Sequence, residues 1–194
     1  MAKRPARTEK IRYDGAYVAS GFPLVWFDRK PLDRYPLTGF TLGWTSGRTG
    51  LTAVQILEDE QYRLNGYAIF RNSDVKRWRP ILPHEFLARA ADRQRLRPSV
   101  PAGLTIHSFK DAVLSAGKAF PLVTIHQERI ERGVCYIGKV QHASQRSVIL
   151  IPISTGAEWE EPESYLLRDI TLIQFGGAYE RLLDQLCDNR SRAI

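Results

Sequence analysis

Two segments of this 194-residue chain repeat one unusual pattern. Tyr67-Ala68-Ile69-Phe70 is a strand-like run that ends in Arg71; Asp74-Val75 follows, and the apolar Trp78 lies three residues on. Tyr165-Leu166-Leu167 ends in Arg168; Asp169-Ile170 follows, and Ile173 lies three residues on. The second copy is two residues shorter between Arg and Asp. A three-residue apolar step does not match the two-residue alternation of a flat strand. It suits a chain that turns tightly and re-enters its sheet, as small barrels do. A helix-forming segment follows each copy: Phe86-Leu87-Ala88-Arg89-Ala90 in one, Tyr179-Glu180-Arg181-Leu182-Leu183 in the other.

The rest of the chain fits this two-part plan. Short β-branched and aromatic runs predict strands over 16–19, 24–27, 40–44, 51–57, 67–70, 75–78, 122–126, 134–139, 147–153, 165–167 and 170–175. Asn65-Gly66 predicts a two-residue hairpin turn, because both residues tolerate positive φ. Helical periodicity appears over 84–96, from Ser108 to Gly117 and over 178–187. Ser108 and Asp111 form a capping-box-like pair, and Gly117 is the expected helix stop. In the last helix Tyr179, Leu182, Leu183 and Leu186 define one apolar face. The divisions read from the sequence are a mobile basic tail (1–10), a first half with a C-terminal helix (11–97), a linker (98–104) and a second half (105–194).

Composition bounds the function. Hydrophobic residues make up 43% and charged residues 25%, the usage of a folded globular chain. No apolar run approaches membrane-span length, and no secretory leader is recognisable, so a cytoplasmic protein without a membrane partner is expected. Cys135 and Cys187 are too few and too separated for a disulfide framework. The net charge of +7 is concentrated. Residues 1–12 hold five basic side chains against one acidic, and residues 71–97 hold eight against three. Such clustering favours an anionic partner, either nucleic acid or an acidic protein surface.

The stretch Ile69-Phe70-Arg71-Asn72-Ser73-Asp74-Val75-Lys76-Arg77-Trp78 resembles the second Sm motif, with Asn72 standing where that family has Gly. Leu64-Asn65 resembles the end of the first Sm motif. The chain is also similar to a group of uncharacterised bacterial proteins through Leu122-x-Thr124-Ile125-His126-x-Glu128, then Ile137-Gly138-Lys139-Val140, then Asp169-Ile170-Thr171-x-Ile173. The resemblance implies a mainly β, α+β chain of two tandem small antiparallel barrels, Sm-like or SH3-like, each followed by a helix. It further implies RNA binding at Arg71 and Asn72, with Arg168 the matching position in the second half. Lys76, Arg77 and Arg79 would add backbone contacts. Homo-oligomers through barrel edges would be available to such a fold. A structural role competes at the same positions: Arg71 paired with Asp74, and Arg168 with Asp169 or the acidic loop at 158–163.

Catalytic constellations are sparse. There is no HExxH, no CxxC, no P-loop and no GxGxxG after a strand, so no metal or cofactor is expected. His126-Gln127-Glu128 sets an imidazole and a carboxylate close together, and Cys135 lies on the next predicted strand across a hairpin. Cys135, His126 and Glu128 are therefore the candidate catalytic residues of a small cysteine hydrolase or transferase. The leading expectation is a non-catalytic binding or regulatory protein, with that enzyme or a purely structural assembly subunit as alternatives.

Overall fold

A computed structural model describes residues 14–191, apart from Arg34, Gly47 and Arg48, and apart from the side chains of 188–191. The expected basic tail at 1–10 lies outside the described residues. Eleven strands form one sheet: β1 (Val18–Ala19), β2 (Phe22–Asp28), β3 (Leu37–Trp44), β4 (Leu51–Glu58), β5 (Arg63–Arg71), β6 (Arg77–Pro80), β7 (Val123–His126), β8 (Cys135–Ala143), β9 (Ser147–Pro152), β10 (Glu163–Leu166) and β11 (Leu172–Phe175). Three helices accompany them: α1 (Phe86–Arg93), α2 (Phe109–Ala119) and α3 (Ala178–Ser191). Among the described residues no helix is long and apolar enough to cross a membrane.

The strand order is β1-β2-β3-β4-β5-β11-β7-β8-β9-β10, with β6 also on β2, and every pairing is antiparallel. This corrects the expectation of two closed barrels, each followed by a helix. A separate first barrel needs the outer edge of its fourth strand for its own closure. Here that edge, on β5, is taken by β11 of the second half, from Tyr67 opposite Phe175 to Phe70 opposite Leu172. The result is one open sheet.

The connectivity nevertheless recurs. A four-strand meander is followed by a tight turn and a fifth strand that returns to the meander's first strand: β6 to β2, and β11 to β7. The turn is the single 3-10 turn Asn72–Asp74 in one half and the Arg168-Asp169 turn in the other. The second strands match in detail. Gly39 in β3 and Gly138 in β8 each lie close under the next strand, and a register shift follows each, at Thr41/Gly43 and Val140/His142. A Cβ on Gly39 would lie 2.5 Å from the Gln55 carbonyl oxygen, and one on Gly138 would lie 2.4 Å from that of Ile151. Only a residue without Cβ fits there.

The largest core lies under α2. Phe109, Ala112, Val113 and Ala116 pack on Leu51, Ala53 and Ile69 from the first half, and on Val123, Ile125, Val148 and Leu150 from the second. Helix α1 covers a smaller core with Ala88 and Ala91 against Leu24, Phe40, Leu57 and Ile81. Ser108 caps α2, its Oγ accepting from the Asp111 N–H at 3.1 Å. Gly117 is not the stop: α2 continues to Ala119, and a Cβ at Gly117 would sit 2.6 Å from Val140 Cβ, so close packing demands the glycine. Asn65-Gly66 is not a hairpin turn either. Both residues lie inside β5, where Gly66 has φ +72° beside the register shift at Gln55/Leu57. Among the described side chains of α3 only Leu183 and Cys187 are buried, leaving Tyr179, Leu182 and Leu186 exposed.

Candidate functional site

The seam between the two halves is held by charged groups. Arg29, just past β2, is fully buried and donates to both carboxylate oxygens of Glu128; its NH1–Oε1 separation is 3.2 Å. The bidentate fork matches guanidinium to carboxylate geometry. Thr171 completes the arrangement: its hydroxyl donates to Glu128, and its carbonyl accepts from Arg29 at 3.4 Å. The guanidinium carbon lies 5.5 Å from the centre of the Phe70 ring. A second cross-link joins buried Asp74 to Arg129. Burial pushes the Asp74 carboxyl above its ordinary value, while Arg129 and then Arg29 and Arg71 oppose that shift.

Of the residues predicted to bind nucleic acid, Arg71 crosses the same seam, while Asn72, Arg77 and Arg79 find their partners within the first half. Arg71 donates to the Leu167 carbonyl at 2.7 Å and stacks 4.2 Å from the centre of the Phe109 ring. Among the described residues no direct ion pair joins it to Asp74, whose carboxylate Arg129 contacts, although the charges of Arg71 and Asp74 still favour each other. Asn72 accepts from Thr52 at 2.7 Å and donates to the Thr45 carbonyl at 2.8 Å. Arg77 pairs with buried Asp28 at 2.9 Å, and the Lys30 N–H with the Arg77 guanidinium lowers that carboxyl's pKa. Arg79 pairs with Glu85 at 2.8 Å. Lys76 and Arg168 are exposed, Arg168 lying 3.6 Å from Asp169. The six positions thus divide between internal bracing and surface, rather than converging on one point.

Two of the three candidate catalytic residues come together. His126 and Cys135 are direct partners in the β7–β8 register and line a common cleft. Glu128 turns away into its buried pair with Arg29. Cys135 is exposed, but partial burial pushes its thiol pKa up, and the Glu180 charge adds to that. His126 Nε2 is engaged by Gln174 Oε1 at 2.9 Å, and burial pushes the imidazole pKa down. Among the described residues no hydrogen bond joins the thiol to the imidazole. A thiolate–imidazolium pair requires both shifts to run the other way.

The cleft consists of two adjoining hollows of about 440 and 960 Å³ that share Asp33, Tyr35, His126, Cys135 and Gln174. The first reaches Glu58, Asp59, Thr124, Tyr179 and Glu180; the second reaches Lys30 and Arg132. Thr124 donates to Glu180 at 2.7 Å and fixes that carboxylate at the wall. Among the described residues no group of three or more His, Cys, Asp or Glu side chains is placed to hold a metal ion. Asp33, Gln174 and Glu180 carried no sequence signal, because the cleft unites four distant segments. The excess of arginine over 71–97 was visible, and part of it forms a surface. Phe86, Arg89 and Arg93 are exposed on one face of α1.

The chain matches no family model, and neither a curated protein nor a solved structure is significantly similar to it. Fold and site define the class: a β-sheet protein of two fused, repeated meanders with a basic helix face and a separate polar cleft.

Proposed function

We propose that this is a non-catalytic binding protein that engages nucleic acid through the surface formed by β6 and α1. One observation carries the reading. Glu85, the residue that precedes α1, accepts from Arg79 of β6, so edge strand and helix form one continuous surface. On it Lys76, Arg89, Arg93, Arg95 and Arg97 are exposed, and none of them makes an ion pair among the described residues. Phe86, 65% exposed, lies on the same face of α1 as Arg89 and Arg93, its ring edge-on to Tyr62 at 5.3 Å. Guanidinium groups neutralise phosphates while aromatic faces accept stacked bases, which favours a single strand. A reducing cytoplasm is the setting this reading assumes, and the two free cysteines fit it.

The test is fluorescence anisotropy of a labelled single-stranded RNA oligomer across a salt series. Binding should weaken linearly in log salt. The Arg89→Ala, Arg93→Ala double variant should reduce the slope by about 1.4, roughly 0.7 for each lost phosphate contact. Absence of binding at low salt, or a slope unchanged in the variant, would refute the proposal.

A further inference from the structure

The two hollows differ in charge. The first draws on Glu58, Asp59 and Glu180, and among the described residues neither Lys nor Arg lines it, in a chain whose net charge is +7. Glu58 shares its charge with Arg63, but Arg63 lies outside the lining. In the second, Lys30 and Arg132 supply the charge, because the carboxylate of Glu128 is already matched by buried Arg29. Asp33 stands at the junction, 3.8 Å from Arg29. The floor between the ends is His126, Gln174 and Cys135, polar and without formal charge when the imidazole is neutral and the thiol protonated. Tyr179 is exposed at the acidic end, where its ring face can meet a cation.

We propose that this cleft binds a dipolar organic ligand, with an ammonium or guanidinium group at the Glu58–Asp59–Glu180 end and an anionic group at the Lys30–Arg132 end. A volume of hundreds of Å³ suits a small molecule or a short peptide. Opposite charges at opposite ends give the ligand one orientation, and a reversed ligand would meet like charge at both ends. The site is separate from the β6–α1 surface, so the two proposals stand or fall independently.

The probes are straight-chain ω-amino carboxylic acids of increasing length, each compared with the alkylamine and the alkyl carboxylate of matching length. Calorimetry reads affinity, and the rate of Cys135 alkylation by iodoacetamide reads occupancy, since Cys187 is buried. At least one chain length should bind about tenfold more tightly than both counterparts and should slow alkylation. Glu180→Gln keeps an acceptor for Thr124 but removes the charge, and it should erase that advantage; exposed Asp59→Asn provides the same test away from the packed wall. Arg132→Gln should erase it from the other end. An amine that binds as tightly as the amino acid, no protection of Cys135 at any length, or indifference to both end substitutions would overturn the proposal.

Discussion

Removing one partner of a buried ion pair leaves the other charged and without a counterion. This costs far more than the pair contributes over an apolar replacement. Arg29 and Glu128 meet that condition, both being buried. Arg29→Met should therefore lower the unfolding free energy by about 3–5 kcal/mol. Adding Glu128→Leu should recover much of the loss, because the stranded carboxylate goes with it. Urea titration of both variants decides this, and a double variant no more stable than the single one would contradict it. His126 gives a pH signature. Its imidazole pKa is lowered by burial in the folded chain, so the unfolded chain binds the proton first. Stability is then fully present above the ordinary histidine range and is lost as pH falls from there through the folded value. His126→Gln should remove that part of the acid loss in denaturation curves. Cys135 follows from its raised thiol pKa: its alkylation rate should keep rising with pH beyond the midpoint of a free thiol. A midpoint below that of a free thiol would instead restore the case for a nucleophile.

At the scale of elements, the recurring glycines are where the two meanders are most alike and least tolerant. Gly39→Ala and Gly138→Ala each force a Cβ against a backbone carbonyl of the next strand, and backbone cannot swing aside as a flexible side chain can. Each should cost about 1–3 kcal/mol in chemical denaturation. Gly156→Ala, whose nearest neighbour would be Ser154 Oγ at 3.5 Å, should be close to neutral. The existence of most elements was legible, because apolar spacing at two or at three and four residues survives in the strands and helices as built. Local signals misled where two structures make one demand. Asn65-Gly66 advertises positive φ, and both a hairpin turn and a bulge inside β5 ask for it. The Asn65 carboxamide has a further use invisible in sequence, accepting from the Ala178 N–H at the start of α3 at 2.8 Å. Gly117 similarly reads as a stop, yet it is kept by the approach of Val140.

At the scale of the molecule, the repeat was legible and its assembly was not. The residues that mark each return turn sit in sequence, but the edge each fifth strand leaves open is settled by pairing between Tyr67–Phe70 and Leu172–Phe175, about a hundred residues apart in the chain. No local pattern encodes that choice. The cleft was hidden for the same reason, since its walls exist only once the halves are fused. Fusion also bears on cooperativity. The β5–β11 ladder, the Arg29–Glu128 and Arg129–Asp74 pairs, the Arg71 bond to Leu167 and the shared core under α2 all cross the seam. Unfolding either half would expose an unpaired strand edge, strand buried charges and open that core at once, so neither half has a stable state without the other. Scanning calorimetry should therefore give one transition, with calorimetric and van't Hoff enthalpies in a ratio of about 1. Two resolved transitions, or a ratio well above that, would mean that the halves fold as separate domains and that the seam is only a docking contact.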